Sequence, residues 1–166
     1  MLNKGYRGAL DFTISEPLVQ TNSDGDIKHI ADRKRLNSHK LIEEFMLAAN
    51  ISAADFISQY AKEGVYRIHE HPESLKIQRL SQVLKNRGIN WNGNIEDIEN
   101  ISEFILKLNK RDDAPILNML ILQSMQRAEY STLNKGHFGL KFDKYTHFTS
   151  PIRRYPDLLV HRIIIS

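Results

Sequence analysis

The last quarter of the chain places arginines, histidines and aromatic residues at close spacing. Its densest segment, residues 149–157, contains Arg153, Arg154 and Tyr155 and begins with residues typical of a helix N-terminus. Free backbone amides and the positive end of a helix dipole favour a phosphate at such a position. We therefore expect Arg153 and Arg154, in the first helical turn, to form a clamp for a phosphodiester oxygen. An alternative is that one arginine pairs with Asp157 while solvent surrounds the other.

The positive charge of the chain is concentrated in the same region. Residues 127–166 contain seven Lys and Arg residues against three Asp and Glu residues, whereas the formal net charge of all 166 residues is +3. Aromatic residues are interleaved with these charges, which suits a partner that offers phosphates and stackable bases. A solvated basic surface over buried aromatic side chains would have the same composition. The aromatic residues are Tyr130, Phe138, Phe142, Tyr145, Phe148 and Tyr155.

The composition excludes several classes of protein. A chain of 166 residues with 41% hydrophobic and 26% charged residues is typical of one globular domain. The absence of cysteine excludes a disulfide framework, a cysteine-ligated zinc site and a thiol nucleophile, and it fits a reducing, cytoplasmic setting. No apolar run reaches the roughly 20 residues that span a bilayer, and the first residues show no signal-peptide pattern.

The pattern of apolar residues predicts an α+β fold that is rich in helices and has short strands. Steps of three and four residues predict a long helix over 37–62, capped by Asn37 or Ser38, ended by Gly64 and buried along a wide apolar stripe. Residues 7–32 are expected to be extended, with a turn at Gly25. Further strands are expected at 65–69, 129–132, 139–142 and 145–149, and further helices at about 75–87 (ended by Gly88), 95–109, 113–128 and from Pro151 or Pro156 onward.

Several segments resemble the ribonuclease R and ribonuclease II family, and the ribonuclease R branch in particular. HFTSPIRRYPDLLVHR, at residues 147–162, resembles the signature near the C-terminal end of the family's catalytic domain, the RNB domain. Four more segments resemble family segments in the family's order: RGALDF (7–12), HKLIEEFMLAAN (39–50), VYRIHEHP (65–72) and GHFGL (136–140). Because both ends also fall inside predicted elements, we expect residues 1–166 to be the middle and C-terminal part of an RNB catalytic domain, truncated at both ends.

The resemblance implies a processive 3′→5′ exoribonuclease that hydrolyses RNA with Mg²⁺ held by aspartates. The family's aspartate cluster, approximately D-G-x-D-A-x-D-x-D-D, is not present in this sequence. The pairs Asp24/Asp26 and Asp112/Asp113 do not match it, and turn or cap chemistry explains them better. The family's cold-shock domains and C-terminal OB-fold domain are not present either. We therefore expect a chain that lacks the metal side of the site and is inactive alone.

The resemblance also implies a role for one residue of the signature. Its first arginine, the family's phosphate contact beside the scissile bond, corresponds to Arg153. Location alone adds Arg154, Tyr155 and His137 as RNA-binding candidates. The remaining histidines and Trp91 are expected to be structural or surface residues, and Glu43 and Glu44 have no assigned catalytic role.

Three hypotheses follow for the function. The first is a fragment of an exoribonuclease that binds single-stranded RNA through the phosphate-clamp side of the site. The second is an RNA-binding module without activity. The third is a subunit that completes a separate fragment carrying the aspartate motif.

Overall fold

The computed structural model describes residues 9–10, 17–32, 36–91 and 97–166, without the side chain of Asp32. The elements confirm the α+β class, with helices as the larger part. The helices are α1 (Asn37–Tyr60), α2 (Ser74–Asn86), α3 (Ile98–Leu108), α4 (Ala114–Ser124) and α5 (Tyr155–Ile165). The strands are β1 (Pro17–Thr21), β2 (Ile27–Asp32), β3 (Tyr66–Ile68) and β4 (Glu129–Ser131), and Phe138–Leu140 forms a 3-10 turn.

The strands pair as two antiparallel ribbons. β1 pairs with β2 around a turn in which Gly25 has a φ of 87°. The Asn22 side chain closes this turn by accepting the backbone N–H of Asp24 and of Asp26. β3 pairs with β4, and Arg67 lies opposite Tyr130. This second ribbon joins two parts of the chain that are about 60 residues apart and brings the basic C-terminal quarter next to β3.

One hydrophobic core lies among α2, α3 and α4. Leu84, Ile101, Ile105, Leu117 and Ile121 are its most deeply buried members. Burial of each large apolar side chain contributes roughly 1.5–3 kcal/mol of transfer free energy, which stabilises helices that are too short to persist alone. Trp91 stacks on Phe104 at this core with ring centroids 4.9 Å apart, as expected for a packing residue.

A second core joins α1, β3 and α5. It contains Ala53, Ile57, Tyr66, Ile68 and Val160. Only the second half of α1 contributes to it. The first half was expected to be buried as well, but Leu41, Ile42 and Phe45 are exposed, because no described residue packs over that face. The expectation of burial along the whole stripe is therefore wrong.

The ends of α1 also differ from the prediction. Leu36, rather than Asn37 or Ser38, is the N-cap residue, and its backbone N–H donates to Nδ1 of His39 at 3.4 Å. The helix ends at Tyr60, with Ala61 extended at the C-cap, so Gly64 does not end it. Gly64 is buried against the Tyr66 ring, where an added Cβ would lie 3.0 Å from Cε2. Gly88, by contrast, follows α2 with a φ of 72°, as predicted.

The C-terminal region contains fewer strands than predicted. The strand expected at 139–142 is a 3-10 turn, and residues 145–149 form no strand. α4 stops at Ser124 rather than at 128, and α5 begins at Tyr155.

Arg153 and Arg154 therefore precede the last helix, and Arg154 is its N-cap residue. The prediction that both arginines lie in the first helical turn is wrong. Residues 7–8 and 11–16 of the predicted extended segment 7–32, and residues 95–96 of the predicted helix 95–109, lie outside the described residues.

Candidate nucleic-acid interface

The segment from 145 to 150 is irregular in backbone but is held by side chains from three directions. Asn50, buried on α1, accepts the N–H of Phe148 through Oδ1 at 2.9 Å and donates through Nδ2 to the Tyr145 hydroxyl at 3.0 Å. Thr146 donates its hydroxyl to the carbonyl of Val65, just before β3. His161, on α5, lies 2.9 Å from the Phe148 carbonyl through Nε2. These bonds replace the ladder that a strand would have made.

The turn that follows carries the two signature arginines. The backbone N–H groups of Arg153 and Arg154 both donate to the carbonyl of Ser150. Asp157, at 0% exposure, accepts the Ser150 N–H and the Arg154 guanidinium, each at 2.8 Å. Arg154 therefore pairs with Asp157, which was the alternative that the sequence left open.

Arg153 has a different environment from Arg154. Its side chain is exposed and forms no hydrogen bond or ion pair with any residue in the described ranges. Tyr155, two residues later, is 63% exposed. The sequence thus places a guanidinium with no bonding partner among the described residues two positions before an exposed aromatic ring. This combination suits a phosphate and a base.

A second group of side chains lies beside this turn, and the sequence named only Tyr130 of this group, as one of the interleaved aromatic residues. Tyr130 on β4 makes a hydrogen bond of 2.7 Å between its hydroxyl and Nδ1 of His147. The Arg67 guanidinium lies 4.6 Å from the centroid of the Tyr130 ring. Burial and the nearby positive charge of Arg154 lower the pKa of His147 to about 4, with smaller contributions from Arg67 and Arg153. His147 is therefore neutral at physiological pH.

His137, a sequence-predicted candidate, is half-buried beneath this region. Its Nδ1 accepts the N–H of Leu140 at 3.2 Å, and its ring lies edge-on to His69 and Tyr145. Burial, with a smaller effect of His69, lowers the pKa of His137 to about 3. The side chain is consequently a neutral hydrogen-bond acceptor that orders the 3-10 turn.

His69 explains why a glycine stands in the middle of this turn. Nδ1 of His69 accepts the Gly139 N–H at 2.9 Å, and its Nε2 lies 2.9 Å from the carbonyl of Gln126. A Cβ on Gly139 would lie 2.8 Å from Nδ1 of His69. The GHFGL segment thus depends on close approach of a backbone to an imidazole.

The described residues do not fit a magnesium site. They contain no group of three or more His, Cys, Asp or Glu side chains placed to hold a metal ion. Asp24 and Asp26 lie in the exposed hairpin turn, and Asp113 accepts two guanidinium bonds from Arg111, at 2.7 and 3.1 Å. These aspartates therefore form part of a turn and of an ion pair.

No helix in the described part is long and apolar enough to cross a membrane.

Comparison with known proteins identifies relatives along almost the whole chain. The RNB domain matches residues 3–166. Ribonuclease R of Escherichia coli is 40% identical over 159 residues, and ribonuclease R of Thermotoga maritima is 41% identical over 162 residues. Each alignment covers 95% of this chain but only 20% and 22% of the relative. The chain thus spans about a fifth of the length of the curated relatives that it matches.

Solved structures agree with the sequence comparison. Ribonuclease R of Mycoplasma genitalium in complex with double-stranded RNA superposes with a TM-score of 0.91 and 26% identity, over 98% of this chain and 29% of that one. Yeast Ssd1, described as a pseudonuclease, has a TM-score of 0.67 and 27% identity over 79% of this chain and 17% of its own. The fold, the signature segment and the relatives agree, and the chain belongs to the RNB domain family.

Proposed function

We propose that this chain supplies the phosphate-contacting part of a 3′→5′ exoribonuclease site, with single-stranded RNA as its ligand and Arg153 as the phosphate contact. It corresponds to the middle and C-terminal part of an RNB catalytic domain in a cytoplasmic enzyme. The observation that carries the proposal is the difference between two adjacent arginines. Arg154 is tied to buried Asp157, whereas Arg153 is exposed and has no carboxylate partner among the residues that the structure describes.

The chemistry of an arginine suits this role. A planar guanidinium donates two parallel N–H bonds to the oxygens of a phosphate and keeps its charge at every physiological pH. Charge accumulates on those oxygens as a phosphodiester is cleaved, so a fixed cation beside them stabilises the transition state. The bonds from Asn50, His161 and Asp157 hold the backbone at Phe148 and Ser150, just before Arg153, and so reduce the entropy lost on binding.

The other candidate residues have supporting roles in this proposal. Tyr155 offers an exposed ring on which a base can stack. Arg154 contributes positive charge while it holds the turn, and neutral His137 positions the Gly-rich turn below. Mg²⁺, in the complete enzyme, would activate water and stabilise charge on the phosphate. The described part of this chain offers no fitting set of ligands for it.

Relatives and neighbours support RNA as the ligand. The curated relatives are named ribonuclease R, and one structure of the Mycoplasma genitalium protein is a complex with ribose-methylated single-stranded RNA. One observation favours a second candidate, the subunit that completes another fragment. The first half of α1 exposes Leu41, Ile42 and Phe45 on one apolar face, and the curated relatives have about four fifths of their length outside the matched region.

The test is a fluorescence-anisotropy titration of a labelled single-stranded oligoribonucleotide at several salt concentrations. Wild type should bind with a dissociation constant of about 10⁻⁴–10⁻⁶ M at physiological salt. Arg153→Ala should weaken binding about fivefold, as expected for one solvent-accessible ion pair. Arg162→Ala, which removes an exposed arginine from α5, is the matched control and should bind nearly as wild type does. Equal binding by wild type and Arg153→Ala would contradict the proposal.

A further inference from the structure

Arg67 occupies a supported position in the middle of the second ribbon. It pairs with Tyr130 across β3 and β4, and its backbone N–H donates to the carbonyl of Tyr145 at 2.8 Å. The side chain then crosses the face of the Tyr130 ring at 4.6 Å. Backbone and side chain are therefore both constrained, so little conformational entropy is left to lose when the guanidinium meets a ligand.

The guanidinium of Arg67 has unused donors. Within the described part of the chain it forms no hydrogen bond and no ion pair, and it lies over the Tyr130 ring. An arginine carries five N–H donors in a planar fork, and a half-buried arginine normally pairs with a carboxylate or a carbonyl. Stacking on an aromatic face holds the cation without consuming those donors. This arrangement leaves the whole fork available to an anion.

Arg67 is also connected to the signature segment through Tyr130. The hydroxyl of Tyr130, which supports Arg67, is hydrogen-bonded to His147, six residues before Arg153. The positive charges of Arg67 and Arg153 both act on the His147 ring. Two arginines that have no carboxylate partner among the described residues therefore act on one neutral imidazole from different elements. A polyanion with regularly spaced charges is the ligand that satisfies both.

We propose that Arg67, supported on the Tyr130 ring, is a second phosphate contact for the RNA strand that Arg153 binds. The inference rests on the proposed function, because it takes the anion to be an RNA phosphate. It adds a residue outside the signature segment and assigns β3 and β4 to the binding face. It also explains why Tyr130, 39% exposed, lies between a guanidinium and an imidazole.

The experiment measures the salt dependence of RNA binding for three variants. Each phosphate contact with a single strand contributes about 0.7 to the slope of log K against log salt concentration. Arg67→Ala should weaken binding about threefold to fivefold at physiological salt and reduce the slope by about 0.7. Arg67→Lys should keep the wild-type slope because it keeps the charge. Arg162→Ala again controls for the loss of an exposed arginine, and thermal unfolding of each variant checks the fold.

The outcomes separate this inference from the proposed function. If Arg153→Ala reduces the slope and Arg67→Ala does not, the inference is wrong and the proposed function stands. If Arg67→Ala reduces it and Arg153→Ala does not, the second contact is supported and the assignment of Arg153 is wrong. Weaker binding at an unchanged slope indicates a structural role for Arg67 and overturns the inference. If Arg67→Ala does not fold, Arg67→Gln replaces it, with the same criteria. Absence of binding by wild type overturns both.

Discussion

Asp157 binds Arg154 from a position that solvent does not reach. Nη2 of Arg154 donates to Oδ1 of Asp157 at 2.8 Å, and the Ser150 N–H donates to the same oxygen. Oδ2 has no hydrogen-bond partner among the described residues. A single buried oxygen atom thus closes the turn that contains Arg153. The two adjacent arginines therefore differ in role: Arg154 holds the turn, and the Arg153 side chain is exposed to solvent.

Removal of the Asp157 carboxylate should destabilise the chain strongly. Asp157→Ala leaves the Ser150 N–H and the Arg154 guanidinium unpaired in a buried site, and breaking such a pair costs about 3–5 kcal/mol. Asp157→Asn keeps an acceptor oxygen for Ser150 and should cost less. Urea unfolding of both variants, with the exposed Asp112→Ala as control, measures the difference. Equal free energies of unfolding for Asp157→Ala and Asp112→Ala would contradict the role of this carboxylate.

Asn50 should be more important for stability than the tyrosine that it binds. Asn50→Ala leaves two buried groups without partners, the Phe148 N–H and the Tyr145 hydroxyl. Each unpaired group costs about 1–3 kcal/mol, so the loss should be about twice that of Tyr145→Phe, which breaks only one of the bonds. The comparison is made by urea unfolding under identical conditions. A larger loss for Tyr145→Phe would show that Asn50 does not hold the segment.

The stability of the chain should fall as the pH is lowered below about 6.5. His137 has a folded-state pKa of about 3 and His147 of about 4, against 6.5 for an ordinary histidine. The unfolded chain therefore binds these protons first. The stabilisation that neutral His137 provides is present above pH 6.5 and is lost at about 1.4 kcal/mol per pH unit as the pH falls towards 3.

Urea midpoints at pH 7, 6, 5 and 4 test this dependence. His137→Gln keeps a polar acceptor without a titrating ring, so its midpoint should change less with pH than that of wild type. The exposed His29→Gln variant is the control and should follow wild type. A wild-type midpoint that rises between pH 7 and pH 4 would contradict the sign of the effect.

The chain alone should show no Mg²⁺-dependent degradation of single-stranded RNA. The sequence contains no match to the family's aspartate motif, and the described residues contain no alternative cluster of metal ligands. Gel analysis of labelled RNA, incubated with the chain and Mg²⁺ or Mn²⁺, is compared with a heat-denatured sample. Release of mononucleotides clearly above that background would show that the chain contains a complete site.

The apolar face of α1 should cause self-association. Ile42 and Phe45 are 56% and 63% exposed, and contiguous apolar patches of this kind mark interfaces or aggregation sites. Ile42→Lys and Phe45→Lys together should shift the chain towards monomer without loss of helix content. Light scattering after size-exclusion chromatography measures the mass. Ser52→Lys, on an exposed position of the same helix, is the control, and an equal shift for it would attribute the effect to charge alone.

The sequence predicted the helices and turns that neighbouring residues in the chain determine. Periodicity identified α1 and α2 almost to the residue, and Gly25 and Gly88 adopt positive φ where turns were expected. Long-range causes were missed. Aromatic and β-branched residues at 145–149 favour a strand, but the bonds from Asn50, about 100 residues earlier, hold this segment outside any ribbon.

The RNA contacts of Arg153, Arg154, Tyr155 and His137 stay predictions. The structure shows that the side chains of Arg153 and Tyr155 are both exposed. The sequence left the start of α5 open, because Pro151 and Pro156 are equally good helix starts. The Asp157 carboxylate favours the second by accepting the Ser150 N–H. Arg67 and Tyr130 carried no sequence signal as a pair, because only the register of β3 against β4 brings them together.

The side-chain bonds that fix residues 145–150 make the signature segment inseparable from the rest of the molecule. Its amides at Phe148 and Ser150 are bonded to α1 and α5, so opening of either helix releases the segment together with Arg153. A peptide that contained only the signature residues would have the same charges but would not adopt the same backbone conformation. The motif therefore cannot be transplanted as a peptide, because its conformation is specified by distant parts of the chain.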